Sequence, residues 1–358
     1  MKILCFTDCL GAGGAQRQLV GLASMLHQGG MEVKVCYYFD IPFYKDYLDE
    51  AGVPHELIPS ASSHIKRIPA VTKYFHQEKP DWVIAYQGMP SFVATLAKIF
   101  DGRFRLIVSE RNTTQHTGFN ETIRFNSYRW VDYIVPNAYS QEKYIKNTFP
   151  FLSKKVVTIP NFVDLKYFVP PTTRIKNDIP EIIVAASIRQ LKNTMGLIDA
   201  AAAMRDKGYK FHISWYGKAE QYKDYYVLCQ KKIKQLGIDN YLELKEKTKQ
   251  IKECYQNADY FCLPSFYEGT PNVICEAMAC GLPVICSDVC DNSKYVIEGE
   301  NGFLFNPKDT NSIVAAYERI HALNDIEYNQ YGHRSRELAE QKLSKETFVR
   351  AYLRLIKE

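Results

Sequence analysis

The chain has 358 residues, which is enough for two domains of ordinary size. Its 46% hydrophobic and 24% charged residues are typical of a globular protein and exclude a disordered class. The net charge of +5 fits an anionic substrate or an anionic membrane surface, whereas nucleic acid usually requires a stronger, clustered excess. We therefore expect no nucleic-acid partner.

The sequence also bears on the compartment. No apolar run reaches the length of about 18 residues that a membrane span needs, and the start lacks a basic stretch before its apolar run. The ten cysteines mostly occupy apolar strand or helix positions, and none forms a C-x2-C pair. These observations predict a cytoplasmic protein with reduced core cysteines.

The first half of the chain alternates strand-like and helix-like patterns, which predicts a parallel sheet with helices on both faces. A buried strand over 2–8 is followed by a glycine-rich turn at 11–14 and a helix over 15–27. The proline-rich segment 170–173 then breaks the periodicity and is predicted to link two domains. Further strands of this half are predicted at 33–39, 55–58, 81–86, 105–109, 132–136 and 156–159.

Residues 64–75 form a basic stretch with apolar and aromatic residues between the charges. If helical, this stretch could lie on an anionic membrane and bring a lipid-linked acceptor to the protein. The alternative is an ordinary amphipathic helix packed on the sheet, and Pro69 weakens the membrane interpretation.

A second alternating unit begins with a strand over 181–187. This again predicts a parallel sheet covered by helices. Its further strands are predicted at 211–216, 241–245, 259–263 and 283–286, and charged amphipathic helices near 313–323, 328–341 and 344–357.

Within this unit, residues 260–288 are predicted to form a strand, a turn, a helix and a strand. Thr270 and Pro271 predict the helix start, because Thr is a favoured N-cap and Pro suits the first helical position. Glu268 lies just before the helix, and Glu276 lies about one and a half turns into it. Two carboxylates beside a phosphate-attracting helix start suit a ligand with hydroxyls at both ends and a diphosphate between, such as a nucleotide sugar.

The segment PSFYEGTPNVICEAMACGLPVICSD, with its E-x7-E spacing, resembles the signature of family-4 retaining glycosyltransferases of the GT-B fold. The resemblance implies an α/β chain with two Rossmann-like, doubly wound parallel-sheet domains that face each other across a cleft. On this basis residues 1–168 are the acceptor domain and 169–340 the nucleotide-sugar domain. Residues 341–358 are then a helix that crosses back onto the first domain.

The same resemblance implies roles for the turn residues. Glu268 would accept hydrogen bonds from the sugar hydroxyls, and Glu276 from the ribose hydroxyls. Retention in this family is pictured as front-face attack assisted by the leaving phosphate oxygen, so no protein nucleophile is required. The other donor-binding residues of this segment would be Gly269, Thr270, Pro271 and Asn272.

Breaking the bond between the sugar and the diphosphate leaves negative charge that a metal or fixed cations must neutralise. The chain contains no D-x-D sequence, so we expect neither a metal nor another cofactor. The resemblance assigns Arg189 and Lys192, after the strand over 181–187, to the donor phosphates. Together with Glu268 they are the predicted catalytic residues.

Two further regions are placed by the resemblance. The turn at 11–14 is similar to the family's GGA(E/Q)R loop, with Gln16 at the Glu/Gln position, so that Gly13, Gly14 and Arg17 would face the donor. The nucleotide base would lie between Gly217 and the 246–248 stretch, which includes Lys247. The acceptor-side residues are predicted from their position instead, because Glu110 and Arg111 end a strand at the cleft edge and His116 is nearby. Arg111 would bind an anionic acceptor or help to close the cleft, and His116 would help to position the attacking hydroxyl.

These residues predict a metal-independent, retaining transferase that moves a hexose or N-acetylhexosamine from a UDP-sugar to a glycan or lipid-linked acceptor in surface polysaccharide synthesis. A GDP-sugar stays open as donor. One alternative is a non-hydrolysing nucleotide-sugar epimerase, which needs acid and base residues near C2 and no acceptor site. An NAD-dependent oxidoreductase would use the 11–14 turn and Asp40, but the third glycine of its fingerprint is missing. A sugar-nucleotide sensor without activity is the last alternative.

Overall fold

The computed structural model describes residues 1–111, 117–218 and 222–357. They form two compact units, of which the first contains Met1–Phe162 and Lys345–Glu358 and the second contains Val163–Ser344. Each unit is built on a six-stranded parallel sheet, as the sequence predicts.

The first unit alternates strands and helices along the chain. Its strands are β1 Lys2–Phe6, β2 Glu32–Tyr37, β3 His55–Leu57, β4 Trp82–Tyr86, β5 Arg105–Glu110 and β6 Tyr133–Pro136. Its helices are α1 Gly14–Gln28, α2 Lys45–Glu50, α3 Arg67–Glu78, α4 Gly88–Asp101, α5 Phe119–Ser127 and α6 Tyr139–Thr148, with short 3₁₀ helices at Tyr128–Trp130 and Pro150–Lys155.

The sheet of the first unit has the order β3-β2-β1-β4-β5-β6. Ile3 of β1 pairs with Val33 of β2 on one side and with Trp82 of β4 on the other. Apolar layers cover both faces of this sheet, which explains why its strands appear in the sequence as continuous hydrophobic runs. The strand order reverses between β1 and β4, and such a reversal leaves a crevice at the carboxyl ends of the strands.

The second unit repeats this plan. Its strands are β7 Glu181–Ala185, β8 His212–Tyr216, β9 Leu242–Lys245, β10 Tyr260–Leu263, β11 Val284–Ser287 and β12 Gly302–Phe305. Its helices are α7 Thr194–Asp206, α8 Lys223–Gln235, α9 Ile251–Asn257, α10 Asn272–Ala279, α11 Asn292–Tyr295, α12 Thr310–His321 and α13 Asp325–Leu343, with a 3₁₀ helix at Gln190–Lys192.

The second sheet has the order β12-β11-β10-β7-β8-β9, and apolar layers again cover both faces. The reversal of strand order here falls between β10 and β7. Residues that follow these two strands therefore meet at one crevice of the sheet edge.

The last helix, α14 Lys345–Lys357, belongs to the first unit although it follows the second along the chain. Its Phe348 and Tyr352 are buried in the same apolar layer as the inner face of α1. The Tyr352 hydroxyl lies 2.9 Å from the Tyr86 hydroxyl at the end of β4. The helix that the resemblance expects to cross back onto the first domain is thus present.

The structure corrects the predicted strand over 156–159. Only Val156 forms an isolated bridge, with Ile134 of β6, and Ile159 donates its N–H to the Pro136 carbonyl. A regular ladder does not develop because Pro136 has no N–H to donate and Pro160 follows directly.

Two other elements differ from the sequence expectation. The 170–173 segment, predicted as a linker, lies inside the second unit, whose boundary falls between Phe162 and Val163. Arg174 ties this part of the chain to the unit by donating to the Ala258 and Cys280 carbonyls at 2.6 and 2.8 Å. The strand β12 was not predicted at all.

One side of the basic 64–75 stretch packs into the first unit. Val71, Tyr74 and Phe75 are buried in the core of the first unit. Arg67 is 4% exposed, donates to the Ala61 carbonyl at 2.9 Å, and is therefore held inside the unit. The residues of this stretch that do face solvent include His64, Ile65, Lys66 and Lys73.

Candidate functional site

The predicted donor residues of the second unit follow the two strands at which the strand order reverses. Arg189 and Lys192 come after β7, and Glu268 comes after β10. The two loops are joined by the main chain, because the Phe266 N–H donates to the Leu191 carbonyl at 2.9 Å. The structure therefore brings the cationic loop and the carboxylate turn together.

A direct ion pair connects these loops. The Lys192 ammonium lies 2.5 Å from Glu268 Oε1, and the Ser265 hydroxyl donates to the same oxygen at 2.5 Å. Glu268 is 8% exposed, so its charge needs a partner inside the protein. Lys192 supplies that partner and holds the Glu268 carboxylate in one orientation.

The helix after the turn begins later than predicted. α10 starts at Asn272, Pro271 is its N-cap, and no side chain caps it. Pro271 has a ψ of 74°, which is outside the helical range, so it cannot be the first helical residue. Thr270 is correspondingly not the N-cap, and its carbonyl accepts from the Asn272 N–H at 2.9 Å.

Glu276 lies on α10 and is 8% exposed. Burial, and then the negative charge of Glu276, raise the pKa of Tyr255 on α9 well above its ordinary value. Glu276 is thus close enough to Tyr255 for its charge to act on the hydroxyl. Tyr255 itself is fully buried.

Arg189 lines an open cavity of about 750 Å³ at the edge of the second unit. Its guanidinium lies 6.0 Å from the centre of the Tyr222 ring. Its Nε is buried and has no hydrogen-bond partner among the described residues. A buried guanidinium donor without a partner is suited to an anionic ligand.

Of the two residues predicted to contact the base, Gly217 lies at a closely packed strand end and Lys247 lies in an exposed loop. Gly217 follows β8, and a Cβ atom there would come within 1.9 Å of the Ala186 carbonyl oxygen. This glycine is therefore needed for the close approach of two strand ends. Lys247 lies in an exposed loop after β9, at the edge of the sheet and two strands from β7.

In the first unit the glycine-rich turn leads into α1. Gly13 is the N-cap of the helix, and a Cβ atom there would lie 2.1 Å from Gln16 Oε1. Gly14 is the first helical residue. Burial raises the pKa of Tyr44, and the positive charge of the nearby Arg17 opposes that shift.

The predicted acceptor residues have partners within the first unit. Glu110 is 1% exposed and accepts from the Tyr128 hydroxyl at 2.5 Å, with Arg124 at 3.3 Å. Arg111 donates to three side chains at 2.7 Å and to a fourth at 2.9 Å, namely Ser109, Asn161, Tyr352 and Tyr86. These contacts hold both side chains within the first unit, and their acceptor role stays a prediction. His116 lies outside the described residues.

Two further observations concern metals and membranes. Within residues 1–111, 117–218 and 222–357, no group of three or more His, Cys, Asp or Glu side chains is arranged to hold a metal ion. None of the helices in the described ranges combines the length and apolar character that a membrane span requires.

Some residues that shape the site were not predicted from the sequence. Ser265 was seen only as the end of a strand, although a serine three residues before Glu268 could have been considered as its hydrogen-bond donor. Tyr255 lies far enough from Glu276 in sequence that no local spacing predicts their contact. Both residues orient a carboxylate that was predicted.

Comparison with protein families covers nearly the whole chain. Residues 12–167 match the family model described as Glycosyltransferase Family 4, and residues 169–338 match the one described as Glycosyl transferases group 1. An uncharacterized glycosyltransferase of Haemophilus influenzae is 32% identical over 109 residues, which are 30% of this chain and 30% of that protein.

Two other proteins are similar along their full lengths. The GalNAc-alpha-(1->4)-GalNAc-alpha-(1->3)-diNAcBac-PP-undecaprenol alpha-1,4-N-acetyl-D-galactosaminyltransferase of Campylobacter jejuni is 24% identical, over 92% of this chain and 91% of that protein. Anabaena Alr3699/HepE, solved in complex with UDP, superimposes with a TM-score of 0.84 at 18% identity, and the match covers 100% of both chains. The comparisons give no support to the epimerase alternative. The chain belongs to family 4 of the glycosyltransferases and has a fold of the GT-B type.

Proposed function

We propose that this glycosyltransferase moves one hexose or N-acetylhexosamine from a UDP-sugar, with retention of configuration and without a metal ion, to a glycan or lipid-linked acceptor. The observation that carries the proposal is the Lys192–Glu268 contact, which places a fixed cation and an oriented carboxylate at the crevice of the second unit. UDP is favoured because Alr3699/HepE was solved with UDP bound.

The residues of the second unit divide the work between orientation and charge. Glu268 accepts from hydroxyls of the donor sugar, and Glu276 accepts from the ribose hydroxyls. The half-buried Arg189 and the Lys192 ammonium stabilise the negative charge that develops on the departing diphosphate. The front-face reaction needs no protein nucleophile, so Glu268 and Glu276 are not cast as an acid and base pair.

The acceptor class is inferred from relatives. The Campylobacter jejuni relative acts, by its name, on a glycan carried by a diphospho-undecaprenol, and we propose the same broad class here. The protein would then work on the cytoplasmic face of a membrane in surface polysaccharide synthesis. Any contact with that membrane through 64–75 would use the exposed His64, Ile65, Lys66 and Lys73.

Thermal stability in the presence of nucleotides tests the donor site. We expect UDP or a UDP-sugar to raise the melting temperature of the whole chain, both with and without EDTA. Glu276→Ala and Arg189→Ala should remove this shift. Glu253→Ala on α9 and the exposed Arg103→Ala should keep it. A melting shift that requires Mg²⁺ or Mn²⁺ would contradict the metal-free proposal. A melting shift with GDP but not with UDP would mean that the donor nucleotide is GDP.

The stereochemical part has its own test. NMR of the product from an α-linked donor should show a new α-linkage. A β-linked product would contradict retention and leave the donor site unaffected.

A further inference from the structure

The first unit has a second polar cluster that the proposed donor chemistry does not use. Asp8 follows β1, Gln87 follows β4, and Gln16 lies in the first turn of α1. β1 and β4 are the strands between which the order of the first sheet reverses. The three side chains therefore lie at the crevice where a doubly wound sheet places its ligand.

These side chains bind one another around the Asp8 carboxylate. The Gln16 amide donates to Asp8 Oδ1 at 3.0 Å, and the Cys9 N–H donates to the same oxygen at 2.7 Å. The Gln87 amide nitrogen faces the carboxylate, because a carboxylate only accepts, and it lies 2.9 Å from Oδ1 and 3.1 Å from Oδ2. The Gln87 amide oxygen accepts from Gln16 at 3.0 Å.

The contacts leave Asp8 Oδ2 with spare capacity. Gln87 is the sole hydrogen-bond donor to Oδ2 among the described residues, whereas Oδ1 accepts from several groups. Asp8 is half-buried and forms no ion pair with a described Lys, Arg or His. An oriented carboxylate oxygen with unused lone pairs can accept from a ligand hydroxyl.

The main chain at Gln87 is strained in a way that the fold does not require. Gln87 has φ 73° and ψ 161°, a region that is essentially restricted to glycine. Glycine at this position would allow the same turn into α4 without strain. The amide side chain, held against Asp8, is what a glutamine adds here. Strain of this kind is concentrated at ligand sites.

A partly exposed aromatic residue adjoins the cluster through its main chain. The Phe39 N–H donates to the Asp8 carbonyl at 2.8 Å, and the Phe39 side chain is 36% exposed. A partly exposed ring next to a few oriented polar groups is typical of sites that bind small polar molecules. A sugar presents both hydroxyls and an apolar C–H face, and it fits this combination.

We propose that Asp8, Gln16 and Gln87 form the hydroxyl-binding site for the acceptor sugar, with Phe39 as the adjoining apolar surface. The inference rests on the proposed transferase function and specifies where the neutral part of the acceptor is held. The charge argues for a neutral ring, because the uncompensated Asp8 carboxylate repels phosphate. Asp8 and Gln87 act in binding and positioning, and no bond is formed or broken on them.

The test measures binding of simple sugars to the whole chain. Saturation-transfer difference NMR would use the methyl α-glycosides of glucose, galactose, mannose, N-acetylglucosamine and N-acetylgalactosamine, with UDP present to fill the donor site. We expect at least one glycoside to bind the wild type. Asp8→Asn and Gln87→Ala should each weaken that binding by about tenfold or more, as expected for a hydrogen bond to a charged group. The UDP-induced melting shift should stay the same in both variants.

A matched pair of variants separates binding from folding. Gln87→Gly and Gln87→Ala both remove the amide, but only glycine relieves the strain at φ 73°. We expect both variants to lose glycoside binding and Gln87→Gly to melt at a higher temperature than Gln87→Ala. Glycoside binding that survives in Asp8→Asn and Gln87→Ala would overturn the proposal.

Failure of this inference differs from failure of the proposed function. If UDP stabilises the wild type but none of the glycosides binds, the acceptor site is wrong and the donor assignment stands. If UDP itself gives no shift, the proposed function fails and this inference fails with it.

Discussion

The contact between Lys192 and Glu268 is the single interaction on which the donor site depends most. The two side chains are 14% and 9% exposed, so each charge relies on the other for compensation. Removing one partner of a buried pair leaves an isolated charge, which costs far more than the pair itself contributes.

We therefore expect Lys192→Met to lower the free energy of unfolding of the second unit by about 3 kcal/mol. The double variant Lys192→Met with Glu268→Gln should recover most of this loss, because no charge is then left unpaired. Urea unfolding followed by hydrogen exchange would measure both. Lys207→Met, which breaks the Lys207–Glu318 pair at the surface, is the matched control and should change little.

A second residue pair predicts a pH dependence. The hydrogen bond that His212 Nδ1 donates to Glu181 at 2.7 Å raises the pKa of His212 above its ordinary value, against the opposing effect of burial. Nearby Lys245 opposes the rise and Glu243 supports it. A raised folded-state pKa means that the stabilisation is fully present below the unfolded pKa of about 6.5 and is lost as the pH rises through the folded value.

Glu181→Gln should accordingly reduce stability at about pH 5.5 and have little effect at about pH 9. Urea midpoints of wild type and variant at the two pH values would show this. An equal difference at both values would mean that the pair does not titrate as described.

Among the elements, the junction of β7 and β8 tolerates the least change. Gly217 has no side chain, and the Ala186 carbonyl oxygen lies only 1.9 Å from the position that a Cβ atom would occupy there. Because the atom in the way belongs to the main chain, the strand ends would have to move apart. We expect Gly217→Ala to cost roughly 2 kcal/mol or more of unfolding free energy and to weaken UDP binding.

The control for this change is Gly29→Ala at the end of α1. Gly29 has φ −76°, which alanine adopts without strain, and its nearest obstacle is at 3.3 Å. Denaturant midpoints of both variants would be compared. Comparable losses in the two variants would contradict the argument from close approach.

The sequence predicts most elements because strand and helix periods alternate clearly in both units. It does not predict β12, a four-residue strand whose pairing with β11 depends on distant residues. The strand predicted over 156–159 does not form. Its apolar pattern is that of a strand, but Pro136 and Pro160 interrupt the hydrogen-bonded ladder. A local pattern thus predicts a strand correctly only where the neighbouring strand can supply the hydrogen bonds of a regular ladder.

For the site, local motifs predict the residues but not their partners. Arg189, Lys192, Glu268 and Glu276 were all named from the sequence, and the Lys192–Glu268 contact agrees with the expectation that their loops meet. Ser265, Tyr255 and the cluster at Asp8 could not be predicted, because their contacts depend on which strands are neighbours in the sheet. The hydrogen bonds of Arg111 could not be predicted either, since its partners come from four separate parts of the chain.

At the scale of the whole molecule, the helix α14 completes the first unit. The Tyr352 hydroxyl contacts both the Tyr86 hydroxyl and Arg111, at 2.9 and 2.7 Å. We expect Tyr352→Phe to cost about 1–2 kcal/mol, because it deprives Arg111 of an acceptor in a buried place.

Hydrogen exchange followed by mass spectrometry would locate the effect. Amides of β4, β5 and α1 should exchange faster in Tyr352→Phe, while those of β10 and β11 should be unchanged. Tyr47→Phe on α2, where the side chain is 42% exposed, is the matched control. Faster exchange confined to the second unit would contradict this account.

The route of the chain sets the order in which the protein can mature on the ribosome. The second unit is one continuous stretch that ends at Ser344, whereas the first unit also needs Lys345–Glu358, which are translated later. Loss of Lys345–Glu358 would therefore damage the unit whose other residues were translated first. Nascent chains halted before Lys345 would present an unfinished amino-terminal half to chaperones and proteases, however complete the later half is.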